Sequence, residues 1–74
     1  MATVVLRVRL IGGDRVDVSY EDADASDDDA LIEGVIARLA DDSGVLRARH
    51  GERLVVLYGR GVAAVEVAPR GAVL

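Results

Sequence analysis

Apolar and polar residues alternate over residues 3–11, "TVVLRVRLI", with Val4, Leu6, Val8 and Leu10 on one side and Val5, Arg7, Arg9 and Ile11 on the other. A period of two marks a half-buried strand. Residues 15–20, "RVDVSY", continue the pattern with Val16, Val18 and Tyr20 inward. Between the two runs lie Gly12, Gly13 and Asp14, and glycine supplies the positive φ angles of a tight turn. A two-residue Gly12-Gly13 loop sets Arg9 opposite Val16 and mixes the faces. A three-residue loop from Gly12 to Asp14 is therefore expected. It pairs Leu10 with Val16, Val8 with Val18 and Leu6 with Tyr20, and it places Arg9 opposite Asp17 on the outer face.

From residue 27 to 41 the period becomes helical, with Leu31, Ile32, Val35, Ile36 and Leu39 on one side and Gly44 placed to end the helix. The remainder divides at His50-Gly51 and at Gly59-Arg60-Gly61, both read as hairpin turns. That leaves strands near 45–49, 53–58 and 62–68, with Pro69 discouraging further pairing. The order ββαβββ predicts one domain over residues 1–74 of the α+β class. Its two layers are a mainly antiparallel sheet and a single helix on one face. The ubiquitin-like β-grasp is one arrangement of this kind, and the element order alone leaves the strand order open.

The chain is 51% hydrophobic, too apolar for disorder, yet no apolar run approaches the roughly 18 residues that cross a bilayer. It has no cysteine, which removes disulfides and thiolate zinc sites, and its N-terminal sequence lacks the pattern of a secretory signal. A cytoplasmic protein without a membrane partner is expected. Every basic residue is arginine and aspartate outnumbers glutamate nine to four, a bias associated with GC-rich genomes such as those of actinobacteria and shared by salt-adapted proteins.

The stretch "YEDADASDDDA", residues 20–30, concentrates the acidic charge. From Asp22 to Glu33 the oxygen-bearing residues fall where a twelve-residue calcium loop places its first, third, fifth, seventh and last ligands. The frame fails elsewhere: the sixth position is Asp27 instead of glycine, and the preceding segment reads as strand. The same residues serve a helix start, with Ser26 as N-cap, Asp29 completing a capping box, and Asp27 and Asp28 beside the positive end of the helix dipole. No metal ion and no cofactor are expected.

Arginine forms the opposite pole. Residues 14–33 carry nine acids against Arg15, and residues 43–74 carry five arginines against Glu52 and Glu66. Arg7 and Arg9 share one strand face and Arg47 and Arg49 another, so a basic outer sheet face could take an anionic ligand or nucleic acid. A net charge of −4, with only Tyr20 and Tyr58 to stack on bases, disfavours nucleic acid. His50 lies in a turn, and Ser19, Ser26 and Ser43 lack a nucleophile's context, so no catalytic residue is assigned.

The run "GVLRARHGERLVVLYGRGVAAVEVAP", residues 44–69, resembles the C-terminal part of small actinobacterial proteins of unknown function, which end in a strand close to "AYVEI" where this chain has "AAVEV" at 63–67. The resemblance covers about a third of the chain and implies no catalytic residues.

Apolar supply exceeds what one helix covers, because "LVVLY" is apolar on both faces, with Leu54, Val56 and Tyr58 on one and Val55 and Leu57 on the other. A non-catalytic protein-interaction module is the expected function, with binding of an anionic ligand or nucleic acid through the arginine face as the alternative. The expected interaction surface is Val5, Arg7, Arg9, Arg47, Arg49, Val55 and Leu57. Either the sheet curls to close over its apolar side chains or a partner covers them, most simply a second copy in a homodimer.

Overall fold

The computed structural model describes residues 2–68, so the reading of Pro69 lies outside the described residues. Five strands and one helix follow in the expected order: β1 (Ala2–Leu10), β2 (Arg15–Asp22), α1 (Asp28–Ala40), β3 (Val45–His50), β4 (Arg53–Tyr58) and β5 (Val62–Val67). The strands form one sheet in the order β4-β3-β2-β1-β5, with every neighbouring pair antiparallel. The fold is α+β. Because β1 and β5 run antiparallel, the chain does not form the mixed sheet of the ubiquitin-like β-grasp, in which the first and last strands lie parallel.

The first hairpin keeps a three-residue loop but moves it one position toward the N-terminus. The Leu10 N–H donates to the Asp14 carbonyl at 2.8 Å and the Gly13 N–H to the Leu10 carbonyl at 3.0 Å, which leaves Ile11, Gly12 and Gly13 as the loop. Gly13 takes the left-handed position with φ 99°. The expected loop put Asp14 there, where a side chain costs about 1–2 kcal/mol. The register consequently joins Val8 to Val16, Leu6 to Val18, Val4 to Tyr20 and Arg7 to Asp17. This is two residues from the expected pairing. An even shift leaves every side chain on its face, so the buried set survives the change.

Gly59-Arg60-Gly61 is not a hairpin turn. It is a single 3-10 turn that carries the chain from one edge of the sheet to the other. In a flat sheet the outer strands would lie about 19 Å apart, at about 4.8 Å per strand. The chain from Tyr58 to Val62 reaches at most about 14 Å. The sheet must therefore curl until its edges approach, with β2 and β3 meeting at Ser19↔Arg49 and the Ile11 N–H reaching the Gly61 carbonyl at 3.0 Å. The curl wraps the concave face around α1. Val4, Leu6, Val8, Val18, Tyr20, Leu46, Ala48 and Leu57 line that face and pack with Leu31 and Val35 of the helix. Each large side chain so buried contributes about 1.5–3 kcal/mol.

The helix begins one residue later than expected. Asp27, not Ser26, is the N-cap, and its carboxylate accepts the Ala30 N–H at 2.8 Å. Asp29 then falls inside the first turn, with Ala30 at the third helical position, so the Ser26–Asp29 capping box does not form. Both residues can cap by chemistry, and it is Asp27 whose extended backbone, φ −153° and ψ 177°, brings its carboxylate to the Ala30 N–H. Asp27→Ala should cost about 1 kcal/mol in urea unfolding and Ser26→Ala close to nothing. Equal losses from the two would contradict this cap.

Among the described residues no helix is long and apolar enough to cross a membrane.

Candidate interaction surface

The alternation of β3 positions the site. Leu46 and Ala48 point into the core, so Arg47 and Arg49 point out from the convex face. The two-residue connection at Gly51 and Glu52 fixes the β3–β4 register, which sets Leu57 opposite Leu46, Val55 opposite Ala48, Val56 opposite Arg47 and Leu54 opposite Arg49. The surface expected from the sequence therefore divides. Val5, Arg7, Arg9, Arg47 and Arg49 do lie on the outer face, Val5 half-buried opposite Ser19. Val55 and Leu57 do not: Leu57 is 5% exposed and Val55 packs against the core. Their place outside is taken by Leu54, Val56 and Tyr58, exposed at 58%, 39% and 53%. Five successive apolar residues carry no alternation, so the faces of β4 cannot be told apart within that strand. The signal lay in its partner, where charged and apolar residues do alternate.

Two of the four arginines expected on this face, Arg7 and Arg9, are occupied. The Arg7 guanidinium grips Asp17 with Nε at 2.9 Å and Nη2 at 3.3 Å, and Arg9 Nε donates to Glu66 at 2.7 Å. The expected Arg9–Asp17 pair is replaced because the hairpin register sets Arg9 opposite Arg15 and Asp17 opposite Arg7. The Arg7 hydrogen bond holds the Asp17 carboxyl below the usual carboxylate range. These exposed pairs neutralise the β1–β2–β5 part of the face and add little to stability. Arg47 and Arg49 have no hydrogen-bond or ion-pair partner among the described residues, and together with Thr3, Ser19, Glu21 and Leu54 they line a shallow depression. His50 Nδ1–H donates to the Asp17 carbonyl at 2.6 Å, which ties the end of β3 to β2. Arg60 stands over the Tyr58 ring, 5.5 Å from its centroid, and extends the aromatic surface with a cation.

Two aspartates of the acidic stretch bind backbone N–H groups. Asp22 accepts the Asp24 N–H at 2.9 Å and Asp27 caps the helix, while beyond the helix Asp41 accepts both the N–H and the hydroxyl of Ser43 at 3.0 and 2.9 Å. Those two bonds lower the Asp41 pKa, the backbone one most. Among the described residues no three His, Cys, Asp or Glu side chains converge as a metal-binding group.

A second apolar surface, a groove of about 440 Å³ between α1 and β5, is lined by Ile32, Ile36, Leu39, Val62, Val65 and Val67 among others. A hairpin turn at Gly59-Arg60-Gly61 would have put β5 beside β4; the groove exists because β5 lies beside β1 instead.

No protein-family model matches the chain, and comparison with curated proteins and with solved structures returns no match.

Proposed function

We propose that this protein is a non-catalytic interaction module that presents the convex face and free edge of β4 to a protein. The observation that carries the reading is the row Leu54, Val56 and Tyr58, three large apolar side chains left in solvent on an edge strand. An exposed apolar edge strand is a liability unless something pairs with it, and contiguous apolar patches of this kind mark binding sites. Arg47 and Arg49 beside the row add a charged rim, as protein interfaces have. Capture from extract of the source cells tests it. Val56→Asp, at an exposed site that should leave the fold intact, should lose a protein that the wild type retains, while Ile36→Asp in the α1–β5 groove should keep it. Equal retention by both variants and the wild type would refute the reading.

Arg47 and Arg49 also keep alive a second reading, binding of an anionic ligand on the same face. Its mark is retention on heparin that falls steeply with salt and disappears in an Arg47→Ala, Arg49→Ala double variant.

A further inference from the structure

We infer that the occupant of the β4 edge is a second copy of this chain, joined by antiparallel pairing of β4 with β4 about a two-fold axis at Val56. This rests on the reading of β4 as the interaction surface and names the partner.

The backbone supplies the contact. The Gly59 N–H donates to the Gly44 carbonyl at 2.9 Å and so sets the phase of the β3–β4 ladder. By alternation the polar groups of Arg53, Val55 and Leu57 face β3, while those of Leu54, Val56 and Tyr58 point away from the sheet. No strand among the described residues pairs with that side. From Leu54 to Tyr58 the edge carries no proline, charge or bulge, the usual guards against edge pairing.

Side chains choose the register. A two-fold pairing must keep each face continuous, so the axis falls on a residue. With Val55 on the axis, Arg53 lies opposite Leu57 and Glu52 opposite Tyr58, charge against apolar. With Leu57 on the axis, the paired segment shrinks to Val56–Tyr58 and Leu54 has no strand partner. With Val56 on the axis, Leu54 meets Tyr58 of the second copy and Val55 meets Leu57, which extends both the convex row and the core. Just beyond the paired strands, the same register turns the β3–β4 turn that carries Glu52 of each copy toward the 3-10 turn that carries Arg60 of the other, so opposite charges flank both ends of the ladder. Arg60 is already held at that end by the Tyr58 ring.

Cysteine cross-linking tests the pairing without background, because the chain has no cysteine of its own. Hydrogen-bonded antiparallel partners have Cα atoms about 5.5 Å apart, within the span of a disulfide. Under mild oxidation Val56→Cys should form a linked dimer at least about tenfold faster than Ile36→Cys, since paired thiols share a high effective concentration. In sedimentation equilibrium the wild type should associate at micromolar concentration. Glu52→Arg should weaken the dimer about tenfold, and adding Arg60→Glu should restore it. A monomeric wild type, or a dimer in which Ile36→Cys links as fast as Val56→Cys, would overturn the proposal. If the wild type is monomeric but Val56→Asp still loses a captured protein, the second copy is refuted and the interaction surface stands. If Val56→Asp changes neither association nor capture, both fall.

Discussion

Replacing Leu57 with glutamate is expected to unfold the chain, not to change what it binds. Leu57 is 5% exposed, faces the fully buried Leu46 across the β3–β4 ladder, and belongs to the core that α1 covers. Losing a buried leucine costs about 2–5 kcal/mol. A carboxylate in its place has no cation on the concave face to pair with, since no polar or charged residue among those described is buried, and stranding it there adds several kcal/mol. Against this stands a total stability of about 4–11 kcal/mol for a chain of this size, at 0.05–0.15 kcal/mol per residue. The far-ultraviolet dichroism of Leu57→Glu should be that of an unfolded chain, and that of Val56→Asp, one residue away, should be native. A folded Leu57→Glu with a native melting temperature would mean that the faces of β4 are reversed.

The second large effect comes from a glycine. At Gly44 the end of α1 sits on the backbone that opens β3, so closely that an added Cβ would fall 1.8 Å from the Arg38 carbonyl oxygen. That oxygen cannot give way without unwinding the last helical turn. Gly44 also donates to the Asp41 carbonyl at 2.8 Å and accepts from Gly59, whose own Cβ would lie 2.6 Å from the Leu39 carbonyl oxygen. Two glycines thus let the helix end, the start of β3 and the 3-10 turn meet backbone to backbone, and this contact holds the curl closed. Gly44→Ala should cost about 3 kcal/mol or more, as a lower midpoint in urea unfolding. Gly34→Ala is the control: it has open space around its Cβ position within the helix, and it should stabilise by about 0.5–1 kcal/mol. A neutral Gly44→Ala would show that the helix end does not rest there.

The strands and the helix were legible in the sequence wherever a period was present. Val4, Leu6, Val8, Val18 and Tyr20 alternate with polar residues and are buried as that alternation predicts, and the helix stripe places Leu31 and Val35 inward. Features that depend on one residue's geometry were less so. The hairpin slid because Gly13 takes the left-handed position without the cost Asp14 would bear there, and the cap moved from Ser26 to Asp27 because both can cap and it is the Asp27 carboxylate that reaches the Ala30 N–H. The path of the chain after β4 was hidden altogether. Gly59-Arg60-Gly61 has the composition of a hairpin turn, and only the cover of α1 and the close approach at Gly44 and Gly59 send it across to β1. For the candidate surface, Arg47 and Arg49 were placed correctly by the alternation of β3. Leu57 and Val55 were assigned to the wrong face because "LVVLY" has no polar residue to mark one.

Amide hydrogen exchange read by NMR, at low and at high protein concentration, tests the central claim most directly. At low concentration the N–H groups of Leu54, Val56 and Tyr58, which point away from the sheet, should exchange fast, and those of Val55 and Leu57, which face β3, should exchange slowly. At high concentration the Leu54, Val56 and Tyr58 amides should become protected, while those of Val65 and Val67, which face away from β1 at the other edge, stay in fast exchange. Protection of Val65 and Val67 with Val56 left in fast exchange would contradict the account, because the chain would then be associating through β5.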